Sequence, residues 1–127
     1  MAEAISKDIT KAMWDNVVIS SAWTNADWSP ISHNAMIALQ EIQLDARSHL
    51  SRPIDQTILD SNDVILTMTE QHKQFLTENF KNLEHKVQTL KESIWETWDV
   101  WDPYGESIEK YRATREEIRR ILLWLFK

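Results

Sequence analysis

The stretch DVILTM at residues 63–68 is followed directly by TEQHKQFL at residues 69–76. The first segment is apolar throughout its centre, which predicts a β-strand. Thr69 is a residue type that caps helices, and Glu70 complements the positive end of a helix. Phe75, Leu76 and Phe80 are expected to supply its buried stripe. The stretch therefore predicts a strand that leads straight into a helix.

Two other segments have strand-like patterns. Residues 17–19 (VVI) form a continuous β-branched run, which predicts a strand covered on both faces as in a parallel sheet. Residues 86–90 (KVQTL) alternate between polar and apolar and predict a third strand nearer the edge.

Helical patterns separate the predicted strands. An opening helix runs from Met1 to near Asp15, and Ser29-Pro30 signals another, with Ser29 as its N-cap. A long helix begins after Tyr104. Helices that alternate with short apolar strands indicate an α/β fold, and the length predicts a single domain over residues 1–127.

Composition excludes several classes of site. The 127 residues contain no cysteine, so disulfides, thiolate metal sites and a thiol nucleophile are absent from this polypeptide. Gly105 is the sole glycine, which excludes glycine-rich nucleotide-binding loops. The four histidines lack metal-ligand spacing, so we expect neither a metal nor a cofactor.

The net charge and the hydropathy of the chain indicate which classes of partner to expect. The net charge is −6, and the basic residues that cluster near the C-terminus alternate with glutamates, as on a solvated helix face; they are Arg112, Arg115, Arg119 and Arg120. We therefore expect no nucleic-acid partner. No apolar run reaches the length of a signal or membrane-spanning segment, so we expect a cytoplasmic protein without a membrane partner.

Seven tryptophans are an unusual number for this length. Trp95, Trp98 and Trp101 are spaced by three and suit either an aromatic ledge for sugars or peptides, or core and subunit contacts, which we favour. Arg47 and Arg52 suit either an anion site beside residues 48–51 or solvated loop positions.

Several segments together resemble the low-molecular-weight protein phosphatase family, closest to its bacterial tyrosine and arginine phosphatases. The resemblance covers nearly the whole chain in order and is carried by DVILTMTEQHK (63–73), VQTLKE (87–92), DVWDPYGESIEKY (99–111), MAEAI (1–5), SSA (20–22) and residues 31–44. It implies a doubly wound parallel sheet of strand order 2-1-3-4. A phosphate-binding loop of the pattern C-x5-R-[ST]-P follows the family's first strand.

In the family, the segment that resembles residues 1–5 comes directly after that loop. We therefore expect a truncated domain, natural or engineered, that lacks the central first strand, the cysteine nucleophile and the phosphate-clamping arginine. The fold class is then α/β, the remnant of a doubly wound parallel sheet with three short strands flanked by helices. Direct pairing of the flanking strands, strand exchange or rearrangement would close the gap.

The resemblance implies roles for Asp102 and Tyr104. Asp102, in Asp102-Pro103-Tyr104, matches the family's general acid, and Tyr104 matches the aromatic residue that flanks the substrate pocket. Phosphoryl transfer by this route also needs a thiolate and an anion cradle. We expect a catalytically disabled phosphatase-like protein. The alternative is a phosphotyrosine or phosphoarginine protein phosphatase whose missing loop is supplied in trans.

The C-terminal run ILLWLF at residues 121–126 is apolar on all sides of a helix. Burial against a partner would cover such a surface, and an unfilled sheet gap would favour the same outcome. We therefore expect a homo-oligomer, with a phosphoprotein substrate only in the complemented form.

Overall fold

The computed structural model describes residues 1–11, 17–22, 31–47, 51–96 and 99–126. They form two compact units, one comprising Met1–Pro53 with Pro103–Lys127 and the other Ile54–Asp102. In chain order the elements are α1 (Ala2–Lys11), α2 (His33–Gln40), α3 (Gln56–Asp60), β1 (Ile65–Thr67), α4 (Glu70–Asn79), β2 (Val87–Thr89), a 3-10 turn (Glu92–Ile94) and α5 (Ile108–Leu125).

The Ile54–Asp102 unit is built on a parallel pair of strands. Ile65 lies opposite Val87 and Thr67 opposite Thr89, so β1 and β2 run in the same direction. Parallel strands need a crossover connection, which α4 supplies. The core between helix and sheet contains Leu59, Leu76, Leu83 and Val87, with Ile54, Ile65 and Phe80 packed against it. The prediction that Phe75 is buried with Leu76 is wrong, because Phe75 is 41% exposed and adjacent helix positions point 100° apart. The α/β class is confirmed.

Both strands are shorter than the sequence pattern predicts. β1 occupies only the centre of residues 63–68, since Val64 is 60% exposed and precedes the ladder. Along β2, Val87 and Thr89 are buried and Gln88 is half-buried, which is the predicted alternation. Within the ladder Ile65 N–H donates to the Lys86 carbonyl at 2.9 Å.

The prediction of a third strand at residues 17–19 is wrong. Residues 17–22 have no regular secondary structure, and the Val18 side chain is 88% exposed. A β-branched run satisfies the local preference for extended backbone, but a strand also needs a hydrogen-bonded neighbour, and this local pattern does not specify one. The described residues therefore contain a sheet of two strands.

In the other unit, α5 packs against both α1 and α2. Ala35 and Ala38 of α2 and Tyr111 of α5 are buried together, with Met1, Ile31 and Ile108 packed around them. The two alanines allow the helices to approach closely. The N-cap of α2 is Ser32, whose hydroxyl accepts the Ala35 N–H, whereas Ser29, the predicted cap, lies outside the described residues.

One side of α5 is less solvated than its charge pattern predicts. Arg115 is only 12% exposed, and its guanidinium donates to the Ala38 carbonyl at 2.9 Å and to Glu41 at 2.7 Å. Arg112 binds the same carboxylate, and its hydrogen bonds hold the pKa of Glu41 below its usual value. The expectation of a solvated face is wrong for Arg115, because the end of α2 supplies acceptors that the local pattern cannot reveal.

The end of α5 divides the predicted apolar run between two environments. Ile121 and Leu122 are buried, whereas Leu123 is 45% and Trp124 62% exposed. An α-helix turns 100° per residue, so four consecutive apolar residues cannot all face one core. The run is apolar all round, as predicted, and α5 leaves one side of it at the surface.

Candidate functional site

The segment that leads to Asp102 is fixed to the end of β1 and the start of α4. Val100 N–H donates to the Met68 carbonyl at 2.9 Å, and the Val100 side chain is 1% exposed. Asp99 Oδ1 accepts the backbone N–H of Glu70 at 2.9 Å. Two consecutive residues are therefore held at the point where the strand becomes a helix.

Asp102 follows this fixed pair by two residues and is exposed. The hydrogen bond from Val100 to Met68 holds the segment before Asp102 next to the carboxyl end of β1. In open α/β sheets, ligands bind outside the carboxyl ends of the strands. An exposed carboxyl group at such an edge can exchange a proton with a bound ligand.

Tyr104 lies in a tight turn that the single glycine makes possible. Glu106 N–H donates to the Pro103 carbonyl at 2.8 Å, which closes a four-residue turn. Gly105 has φ of 81°, the positive value that a type II turn requires at its third position. Tyr104 occupies the second position, and its side chain is 78% exposed.

Helix α2 holds this turn through a side chain. Asn34 Nδ2 donates to the Glu106 carbonyl at 3.2 Å, and the neighbouring Ser32 hydroxyl donates to the Tyr111 hydroxyl at 3.3 Å. A recess of about 450 Å³ opens at the surface here; it is lined by Ser32, His33, Asn34, Tyr104, Gly105, Glu106 and Tyr111. Tyr104 thus forms one wall of an open depression in the Met1–Pro53 and Pro103–Lys127 unit, lined by both polar and aromatic side chains.

The two predicted site residues are close in sequence and belong to different units. Asp102 ends the Ile54–Asp102 unit, and Tyr104 is the second residue of the returning segment of the other unit. Each side chain is exposed, and each is preceded or followed by residues anchored within its own unit.

A polar network stabilises the carboxyl end of β2. Glu92 accepts the Thr89 N–H at 2.9 Å while Thr89 Oγ1 accepts the Glu92 N–H at 3.1 Å, and the Lys73 ammonium lies 3.2 Å from the same carboxylate. The Thr89 N–H, with the help of Lys73, holds the pKa of Glu92 below its usual value. The network closes the 3-10 turn after the strand and ties it to α4.

The tryptophans at residues 95, 98 and 101 were predicted to form either an aromatic ledge or core and subunit contacts, and these interpretations have different outcomes. Trp95 is 96% exposed and Trp101 is 71% exposed, so core burial is wrong for both residues. Trp95 also has φ of 66°, a left-handed conformation uncommon for a bulky residue. Trp98 lies outside the described residues, so the predicted ledge of three rings stays a prediction.

Arg47 and Arg52 already have protein partners. Arg47 makes two hydrogen bonds to the Asp45 carboxylate, which lower the pKa of Asp45 to about 2. Arg52 Nε donates to the Ser21 carbonyl at 2.9 Å. Residues 48–50, beside which the anion site was predicted, lie outside the described residues.

The described ranges contain neither a cluster of metal-ligand side chains nor a membrane-spanning helix. No group of three His, Asp or Glu side chains there is arranged to hold a metal ion. Among the described helices, none combines the length and the hydropathy needed to cross a membrane.

Asp102 and Tyr104 are named through the family resemblance and stay predictions, whereas the residues that hold their segments were not predicted. Asp99 and Asn34 make hydrogen bonds to residues far along the chain, at Glu70 and Glu106. Aspartate and asparagine are common in turns and caps, so neither position has a local signal.

The chain is similar to characterised bacterial phosphatases along its full length. The family described as low molecular weight phosphotyrosine protein phosphatase matches residues 1–127. The protein-arginine-phosphatase of Bacillus subtilis is 39% identical over 131 residues, covering 100% of this chain and 85% of that protein. The low molecular weight protein-tyrosine-phosphatase PtpB of Staphylococcus haemolyticus is 30% identical, covering 93% and 81%.

Comparison of the fold with solved structures gives the same group of relatives. The crystal structure of a YwlE mutant from Bacillus subtilis superposes with a TM-score of 0.93 at 36% identity. The match covers 98% of this chain and 85% of that one. Sequence and structure therefore agree on the same group of relatives.

Replacing Gly105 tests the turn that displays Tyr104. A Cβ at this position meets no heavy atom within 4 Å, so the cost of Gly105→Ala is the positive φ itself. We expect Gly105→Ala to lower the free energy of unfolding by about 1 kcal/mol, measured by urea denaturation. Gly105→Asn is the matched control, because asparagine tolerates positive φ, and it should lose clearly less. Equal losses for both variants would contradict a turn that depends on positive φ.

The lowered pKa of Glu92 predicts a pH dependence of stability. A carboxyl group whose pKa is lowered by folding stabilises the folded state above its unfolded pKa, near 4.5, and this contribution is lost as the pH falls further. Glu92→Gln should therefore reduce the free energy of unfolding by less than about 1 kcal/mol at neutral pH, because the pair is partly exposed. The deficit should shrink as the pH falls toward about 3.

Glu84→Gln is the control for the loss of one negative charge, since Glu84 is an exposed glutamate of the same unit. Urea denaturation at several pH values compares the two variants with the parent chain. A deficit of Glu92→Gln that stays constant with pH, or one that Glu84→Gln reproduces, would be evidence against the network.

Proposed function

The chain belongs to the low molecular weight phosphotyrosine protein phosphatase family, and from that premise we propose that its 127 residues provide the general acid and one wall of a protein phosphatase site. Asp102 is the acid and Tyr104 flanks the substrate side chain. The attacking sulfur is not part of this polypeptide, because it contains no cysteine. Residues 1–127 alone are therefore catalytically disabled, and they become active when a cysteine-bearing loop joins them.

The observation that carries this proposal is the anchored Asp102 segment at the carboxyl end of β1. Val100 and Asp99 fix its beginning at Met68 and Glu70. A general acid must lie within hydrogen-bond reach of the leaving atom, so a fixed segment at the ligand-binding edge of the sheet suits this role.

The reaction needs groups from a cysteine-bearing loop as well as Asp102. A cysteine thiolate attacks phosphorus, and backbone N–H groups with an arginine hold the phosphoryl oxygens. The bond from phosphorus to the leaving atom breaks while Asp102 transfers its proton to that atom. The leaving atom is the phenol oxygen of phosphotyrosine or the guanidino nitrogen of phosphoarginine. Water then attacks the phosphorus atom of the phosphocysteine, and the Asp102 carboxylate accepts a proton of that water. The phosphorus–sulfur bond breaks, which releases phosphate and regenerates the thiolate.

An available sheet edge supports the docking of a further strand. In a parallel ladder, alternate residues direct their backbone groups to opposite sides. Ile65 N–H and the Thr67 carbonyl bond toward β2, so the N–H and carbonyl of Leu66 point the other way. The described residues supply no strand on that side. A strand that carries the family's loop would satisfy these groups.

Complementation tests the proposal with p-nitrophenyl phosphate as substrate. We expect no turnover by the 127-residue polypeptide, because it has no thiolate. Adding a peptide with the family's first strand and its C-x5-R-[ST]-P loop, or fusing that segment before Met1, should give turnover that vanadate abolishes. The same peptide with serine in place of its cysteine is the matched control and should give none.

Two outcomes would contradict the proposal. Vanadate-sensitive turnover by the 127 residues alone would show that they are not disabled. Failure of both the fusion and an excess of peptide would exclude activation by a supplied loop. In an active fusion, phosphotyrosine and phosphoarginine peptides then distinguish the two substrates.

Asp102→Asn in the fused enzyme tests the acid itself. Asparagine keeps the size and polarity of the side chain but cannot transfer a proton in this way. We expect kcat on phosphotyrosine to fall by about 10²-fold or more, which is the usual contribution of a general acid. The loss should be smaller with p-nitrophenyl phosphate, whose leaving group needs less protonation. Asp60→Asn, at an exposed acid in α3, is the control and should leave kcat unchanged.

Self-association stays a prediction. Leu123 and Trp124 at the end of α5 are exposed apolar residues against which a second copy could pack. A monodisperse monomer in light scattering at tens of micromolar would contradict it. Engineering and truncation have no support from the described residues.

A further inference from the structure

The start of α4 receives two separate side-chain caps. Thr69, the residue before the helix, accepts the His72 N–H at 3.2 Å through its hydroxyl. Asp99, which lies 29 positions further along the chain, accepts the Glu70 N–H at 2.9 Å. Both donors belong to the first turn of α4, where backbone N–H groups have no partner within the helix.

The helix has its ordinary cap without Asp99. A threonine at the N-cap is a sufficient start signal for a helix, and Glu70 adds a favourable negative charge to the first turn. The bond from Asp99 therefore has a second consequence besides helix stability. It holds residue 99, and with it the chain that follows, against the start of α4.

Two consecutive residues of this segment, 99 and 100, are both anchored. Val100 N–H bonds to the Met68 carbonyl at 2.9 Å, and its side chain is 1% exposed. Asp102 follows after one intervening residue, Trp101, which is 71% exposed. Because a single residue separates the anchored pair from the acid, a shift of residues 99 and 100 also displaces the start of the segment that carries Asp102.

We propose that Asp99 is a positioning residue for Asp102. Its carboxylate, bound to the Glu70 N–H, fixes the segment from which Asp102 transfers its proton. The two aspartates of Asp99-Val100-Trp101-Asp102 thereby have different roles, one as a hydrogen-bond acceptor and the other as a proton donor. This inference rests on the proposed function, and it adds a residue that determines where the Asp102 carboxyl group lies relative to the leaving atom.

Three variants separate positioning from stability. Asp99→Ala removes the acceptor, whereas Asp99→Asn keeps an amide oxygen that can still accept the Glu70 N–H. Thr69→Ala weakens the same helix end without breaking the bond between residues 99 and 70, so it controls for destabilisation. Thermal unfolding of the three chains shows whether Thr69→Ala and Asp99→Ala are destabilised to a similar degree.

The first readout is kinetic and uses the fusion with the cysteine-bearing loop. A poorly placed acid slows substrates with basic leaving groups most, and a displacement of about 1 Å can cost about 10²-fold in rate. We expect Asp99→Ala to lower kcat on phosphotyrosine about tenfold or more, with a smaller loss on p-nitrophenyl phosphate. Asp99→Asn should restore most of the rate, and Thr69→Ala should leave the ratio between the two substrates unchanged.

The second readout needs no turnover and uses the 127-residue chain itself. In amide hydrogen exchange by NMR, the Val100 N–H should exchange at least several-fold faster in Asp99→Ala than in the parent chain, because its segment is released. Thr69→Ala should not accelerate Val100 selectively, and Asp99→Asn should protect it again.

The two readouts distinguish failure of this inference from failure of the proposed function. An inactive fusion would contradict the proposed function, and the exchange experiment would still measure the anchor. The positioning role is overturned when Val100 exchange is the same in Asp99→Ala and the parent. It is also overturned when Asp99→Ala lowers kcat equally for both substrates, or when Thr69→Ala reproduces its change in the substrate ratio.

Discussion

The parallel pairing of β1 with β2 is the constraint on which the Ile54–Asp102 unit depends. Once Ile65 lies beside Val87, the intervening chain must return across the sheet, and α4 is that return. The pairing also brings the ends of both strands to one edge. Thr69 and Glu92 follow these two ends. They therefore lie at the same edge of the sheet, Thr69 at the start of its helix and Glu92 in its turn.

Hydrogen bonds from distant residues fix the backbone at that edge, where the proposed site lies. Lys73 reaches Glu92 after β2, and Asp99 reaches Glu70 after β1. Neither contact adds much apolar burial. Their contribution is to limit the positions that exposed polar side chains can take, which is what a proton donor requires. In the other unit, Asn34 does the same for the turn that presents Tyr104.

The sequence predicted what depends on neighbouring residues and failed where partners are distant. A strand within residues 63–68 and the cap at Thr69 follow from local patterns, and the structure has the strand at Ile65–Thr67 and the cap as predicted. The β-branched run at 17–19 has the same local character, yet Val18 is exposed, because pairing is decided elsewhere in the chain. Arg115 appeared solvated for a similar reason, since its partners lie in and after α2. Asp102 and Tyr104 were named through the family resemblance, and the residues that anchor them left no pattern to find.

The crossover also has a consequence for how the chain folds. The paired residues Ile65 and Val87 are about twenty positions apart, so the strands can meet only after a loop of that length has closed. Loop closure costs entropy that rises with the number of flexible residues. α4 occupies about half of this separation, and an early helical turn there would shorten the flexible part. The caps from Thr69 and Asp99 at its start favour this helix, and a formed helix lowers the entropy that strand pairing must overcome.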